Sequence, residues 1–189
     1  MTLVEVMVAF GLFSIMALGS LSALIQTRKM SEDNVAQATA AVIAQGIIEQ
    51  VHLNPYAAVA DTTSSPNLEL KFTGSSTNNL ASIQQYDLPW DTNATTFTQI
   101  GARVDPADSS SPILGVLLDL DYKVDSTVIR PGRYMKMRVN IRRTVNPGND
   151  NVEIILIYSW QPPSRNNGVG TETYLTRELR TIRSQAPSY

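Results

Sequence analysis

Residues 1–25 read MTLVEVMVAFGLFSIMALGSLSALI, and Glu5 is the only charged residue among them. This is about the length of ~20 apolar residues that an α-helix needs to cross the hydrocarbon core of a bilayer. The apolar run begins at once, without the basic start, shorter apolar core and small-residue cleavage site of a secretory signal, so it reads as a retained segment. Lys and Arg usually mark the cytoplasmic flank, yet the nearest cations, Arg28 and Lys29, lie on the C-terminal side. Two arrangements satisfy that rule: a cytoplasmic head, or a basic leader removed ahead of Met1.

Beyond Lys29 the pattern turns amphipathic without a breaker. Met30, Val35, Ala38, Val42, Ile43, Ile47 and Val51 recur near helical spacing, with Glu32, Asp33, Gln37, Gln45 and Gln50 between them. Asn54-Pro55 is the first strong stop, because a residue before proline is pushed out of the helical region. The expectation is one helix over 1–53, roughly 75 to 80 Å long at ~1.5 Å per residue. Only its first part fits in a bilayer of ~30 Å, so the remainder must pack on something outside it.

Glu5 has two readings on chemistry alone. A carboxylate deep in an apolar helix needs a partner or a function, whereas one near the helix end can reach water at the membrane surface. The context around it is more specific. The stretch Thr2-Leu3-Val4-Glu5-Val6-Met7-Val8-Ala9 resembles the N-terminus of processed type IV pilins and type II secretion pseudopilins. The resemblance covers the first 53 residues in kind: an apolar half, an amphipathic half, then a head. It implies a prepilin peptidase that removes a short basic leader and N-methylates Met1, which also accounts for the missing N-terminal cations. It further implies that Thr2, Leu3 and Glu5 serve assembly, with the Met1 amine of one subunit neutralising Glu5 of the next. Two departures point toward minor subunits: Met1 stands where phenylalanine is usual, and Ser22 where many major pilins carry a helix-kinking proline. Gly11, Gly19 and Gly46 are either weak points of the helix or sites of close packing between helices.

Residues 54–112 are rich in Ser, Thr, Asn, Asp and Pro and read as a loop region with one or two short strands, around Leu68–Phe72 and Ser82-Ile83. From Ile113 the signal strengthens, with strand-like runs at Ile113–Val124, Tyr134–Thr144 and Asn151–Trp160. In the second run Met135, Met137, Val139 and Ile141 alternate with Lys136, Arg138, Asn140 and Arg142, which predicts one buried and one wet face. Residues 146–151, NPGNDN, supply a turn, and Val152, Ile154, Leu156, Tyr158 and Trp160 resume the alternation, so the two runs form a hairpin. Trp160 belongs to the core on this pattern. Tyr174–Arg183 carries helical spacing at Leu175, Leu179 and Ile182, but the meander of the resembled family favours a last strand, and strand is the reading adopted. The fold class expected is α+β: a long N-terminal helix packed against an antiparallel sheet in a head spanning 54–189, with the sheet in 113–183.

Composition narrows the function classes. The net charge is −2, with no cysteine and one histidine, His52. Disulfide staples, thiolate metal sites and most His-based catalytic groups are thereby excluded. No phosphate-binding, dinucleotide or nucleophile-elbow motif occurs, so no enzyme is expected. Asp119, Asp121 and Asp125 form a D-x-D-x-x-x-D run that could take calcium; without the glycine and terminal glutamate of an EF-hand, alternating aspartates on a wet strand account for it equally well. Asp87 and Asp91 flank Pro89-Trp90 in what reads as a solvated turn. Charge is segregated: residues 54–122 hold eight acids against Lys71 and Arg103, net −6, while 123–189 hold eleven bases against five acids, net +6. Such a head could orient stacked subunits acid to base, or offer Lys136, Arg138, Arg142 and Arg143 to DNA phosphates, or simply present solvated faces.

The functional expectation is a structural subunit of a type IV pilus or type II secretion pseudopilus. It would be a single-pass protein of the bacterial inner membrane with a periplasmic head before assembly, and part of a periplasmic or extracellular filament afterwards. Its partners would be like or related subunits, the prepilin peptidase and the assembly platform. A tip adhesin or DNA-binding minor pilin, a major subunit, and a bitopic membrane enzyme or sensor are the competing readings.

Overall fold

A computed structural model describes residues 2–61, 67–70, 86–90, 96–105, 108, 110–119, 122–124, 127–130, 132–146, 150–162 and 173–185. Helix α1 runs unbroken from Leu3 to Leu53. Asn54 caps its C-terminal end in an extended conformation, as a residue before proline must. Its side-chain amide donates to the Gln50 carbonyl at 2.9 Å. A five-residue helix α2, Tyr56–Ala60, follows.

The core sheet has four antiparallel strands, β11-β10-β9-β3 in spatial order, where β3 is Thr98–Ile100, β9 Met137–Asn146, β10 Asn151–Trp160 and β11 Leu175–Ser184. The expected hairpin is β9–β10, in register from Asn146↔Asn151 to Met137↔Trp160. The ambiguous tail is a strand, β11, which pairs with the whole of β10.

The region 54–112 carries more regular structure than its composition suggests. Besides α2 and β3 it contains β1, Asn67–Leu70, paired with β2, Tyr86–Pro89, and β4, Ala102–Arg103. Phe72 and Ser82-Ile83 lie outside the described residues. Trp90 is not in a solvated turn: it bridges Ile141 in parallel on the free side of β9 and is only partly exposed. The run Ile113–Val124 is two elements. β5, Ile113–Asp119, joins β4 and β8, Arg133–Met135, in a small sheet, while β6, Tyr122–Val124, pairs with β7, Thr127–Arg130. The small sheet closes tightly on glycine. Gly115 has φ +128°, and a Cβ there would lie 2.4 Å from the Met135 carbonyl oxygen.

The helix packs on the sheet through Ala36, Ala40, Ala44, Ile47 and Val51, all fully buried. Their three- and four-residue spacing puts them on one face, and the alanines let the helix axis approach the strands closely. Opposite them lie Met137, Val139 and Ile141 of β9 and Val152, Ile154, Leu156, Tyr158 and Trp160 of β10, buried as the alternation requires. Tyr158 and Trp160 stack at 5.7 Å between ring centroids.

Candidate assembly helix and the basic sheet face

Every side chain from Thr2 to Ser31 is exposed, including Leu3, Met7, Phe10, Phe13, Met16 and Leu24. This part of α1 is the one described helix long and apolar enough to cross a membrane, and none of that apolar stretch is buried against the head. Apolar side chains all round a helix mean burial elsewhere, in lipid or against other helices. Gly11, Gly19 and Gly46 meet no neighbour: a Cβ at each would find no atom within 4 Å. No close packing within the subunit therefore explains them.

At the N-terminal end, Thr2 and Glu5 form a capping box. The Thr2 amide donates to Glu5 Oε2 at 2.8 Å, and the Glu5 amide approaches Thr2 Oγ1 at 3.4 Å. The carboxylate thus satisfies an amide that the first helical turn leaves unpaired, and it lies at the positive end of the helix dipole. The Thr-x-x-Glu spacing is a readable sequence signature of this arrangement. Leu3, beside the cap, is 80% exposed. Met1 lies outside the described residues.

The four cations read as one basic surface do not share a face. Arg138 and Arg142 project from the side of β9 away from the helix, whereas Arg143 shares the helix-facing side with Ile141. Arg143 Nη1 donates to the Val59 carbonyl at 2.9 Å, and its guanidinium lies 4.9 Å from the Trp90 ring centroid. Burial lowers its pKa from the ordinary guanidinium value, with Asp61 opposing the shift. Lys136 sits half-buried at the break between β8 and β9, where its carbonyl accepts from the Gln161 amide.

Nor is the outer face of β9 wet, as the alternation suggested. Asn140 is buried, and its Nδ2 donates to the Thr96 carbonyl at 2.7 Å. Arg138 is held between two rings, 4.7 Å from the centroid of Phe97 and 3.9 Å from that of Tyr174. Both rings come from segments remote in sequence, which is why the strand's own pattern gave no sign of them. Each stacked contact contributes about 0.5–2 kcal/mol to holding those segments on the sheet.

Two further contacts tie the sheet to the rod. Arg183 Nη1 donates to the Val51 carbonyl at 2.7 Å, placing a cation at the C-terminal end of α1 on a carbonyl that also accepts from the Asn54 amide at 3.3 Å. Beside it His52 Nε2 and Thr181 Oγ1 are 2.9 Å apart. Asp119, the first aspartate of the candidate calcium run, lies 3.7 Å from Arg133, while Asp121 and Asp125 are outside the described residues. Among the described residues no three His, Cys, Asp or Glu side chains gather in a metal-ligand group.

Comparison with protein-family models, with curated proteins and with solved structures gives no match to this chain. The chain has a long apolar N-terminal helix packed on an antiparallel sheet, an architecture compatible with a pilin-like fold.

Proposed function

We propose that this chain is a structural filament subunit of the type IV pilin-like kind. Residues 1–25 hold it in the inner membrane with the head in the periplasm, and the same residues then form the core of a pilus or secretion pseudopilus. One observation carries the reading: the exposed apolar stretch is continuous with a helix whose other half buries one face against the head. A membrane tether alone would not need to be a rigid extension of the folded domain. A subunit that moves from lipid into a helical bundle does, because the rod then fixes the orientation of every head.

The capped Glu5 supports the same reading. In a water-poor bundle an exposed acceptor beside the N-terminus of one helix is the group able to take an ammonium from a neighbour. Processing at Met1 by a prepilin peptidase and delivery to an assembly platform follow from the resemblance of residues 1–9. The alternative of DNA contact through β9 loses support, since Arg138 is stacked between aromatic rings and Arg143 faces the helix side.

The chain has no cysteine, so introduced pairs report cleanly. A filament repeats a head-to-tail contact between two different surfaces, and such contacts propagate. Variants carrying two cysteines at different depths of residues 3–25 should give an oxidised ladder extending beyond dimers. A set of depth pairs that stops at dimers throughout would point to a membrane protein outside any filament.

A further inference from the structure

The seam between α1 and the head has two chemically different halves. From Ala36 to Val51 it is dry and fully buried. Nearer the membrane-competent segment it is polar. Arg133 Nη1 donates to Glu32 Oε1 at 2.9 Å, Arg28 Nε approaches the same oxygen at 3.3 Å, and Arg133 Nη2 lies 3.7 Å from Asp119. A cleft of about 140 Å³, lined by Ser31, Glu32, Val35, Leu118 and Arg133, separates the helix from β5 and β8 here. The Glu32 side chain is 24% exposed and that of Arg133 42%. Arg133 Nε meets no acceptor among the described residues. Glu32 is also the first helix residue, counting from Thr2, that the head shields.

The two halves differ in strength. The ion pair is partly exposed and screened by solvent, whereas Ile47 in the dry half is fully buried, where losing packing is far more costly. The lower half can therefore open while the upper half holds.

We propose that Glu32 and Arg133 form a charge-operated latch that pins residues 28–35 of the helix to the head and, when either charge is lost, frees about two turns below Ala36 without undocking the head.

Acid is one key to this latch. Burial pushes the Glu32 carboxyl upward, but the hydrogen bonds and charges of Arg133 and Arg28 outweigh it and hold the group below its ordinary value of 4.5. Arg28 and Asp33 flank Glu32 on its own helix, Arg133 faces it from β8, and Asp119 stands behind Arg133 on β5. Because the folded pKa lies below the unfolded one, the contribution is complete above about pH 4.5 and fades as pH falls through the folded value. At neutral pH the latch is closed, and a competing charge would be needed to open it.

Hydrogen exchange on the full chain in detergent micelles, with Glu32→Gln, Arg133→Gln and Arg133→Lys, tests the proposal. Loss of the pair should lower protection of amides in 28–35 by up to about five-fold and leave those in 40–51 unchanged. Arg133→Lys should retain part of the protection. Acidification, after correction for intrinsic exchange, should bring wild type to the level of Glu32→Gln. Unchanged protection in 28–35, or an equal loss along 40–51, would overturn the latch. The filament reading stands or falls on the cysteine ladder instead, so the two failures are distinguishable.

Discussion

Replacing Ile47 by alanine probes whether the helix face assigned to the head is the right one. Ile47 is fully buried in the dry seam, while Val42, little more than a turn away, is 70% exposed. Truncating a buried isoleucine to alanine costs about 2–5 kcal/mol, through lost transfer energy and the cavity left behind. An exposed valine changed to alanine shifts stability by about 0.5 kcal/mol at most. The comparison is best made on residues 27–189, which lack the apolar rod but keep the whole seam. That head should be soluble, largely β with one helix, and should melt cooperatively. At about 2–4 °C per kcal/mol for a domain of this size, Ile47→Ala should lower Tm by roughly 10 °C and Val42→Ala by no more than about 2 °C. Circular dichroism melts read both. Equal shifts for the two variants, or a non-cooperative melt of the parent head, would refute the placement of the core.

Two other perturbations have signs that the backbone dictates. Gly115→Ala should cost about 3 kcal/mol or more, since it combines positive φ with a Cβ 2.4 Å from the Met135 carbonyl oxygen. Gly46→Ala, where a Cβ meets nothing within 4 Å, should stabilise the isolated head by about 0.5–1 kcal/mol. Arg183→Gln removes a cation from the C-terminal end of α1 and should cost about 1 kcal/mol, visible as a lower midpoint in urea with an unchanged slope.

Much of the fold was legible because its signals are local. Asn54-Pro55 marked the end of α1. The alternation from Val152 to Trp160 marked β10 and its buried face, and the NPGNDN turn marked the hairpin. What escaped depends on remote segments. The alternation of β9 correctly gave a second face, but Phe97, Tyr174 and Thr96 cover it, so Asn140 is buried and Arg138 stacked. Arg143, counted with a basic surface by charge alone, belongs by parity to the helix side. The run Ile113–Val124 looked continuous because apolar content does not reveal where a strand changes partners, as this one does after Asp119. At the N-terminus the Thr-x-x-Glu spacing of Thr2 and Glu5 is a local capping signature, set in an apolar run that equally fits a membrane-surface carboxylate. Arg133 and Arg183 gave no local sign at all, since their partners lie on α1, more than a hundred residues away.

Whether the charge of Glu5 serves docking into a filament is decided by comparing Glu5→Gln with Glu5→Ala. Alanine removes both the charge and the helix cap. Glutamine keeps a capping-box acceptor for the Thr2 amide and removes only the charge. Neither change makes residues 3–25 less apolar, so both variants should remain in the membrane. Without the carboxylate, a neighbour's N-terminal ammonium would enter the bundle unpaired, at a desolvation cost of several kcal/mol. The measurement is the ratio of subunit in sheared filaments to subunit in membranes. Both variants should fall at least about ten-fold below wild type. A wild-type ratio for Glu5→Gln would contradict a docking role for the charge: with Glu5→Ala reduced, Glu5 would act as a helix cap, and with both unchanged, it would merely reach the membrane surface.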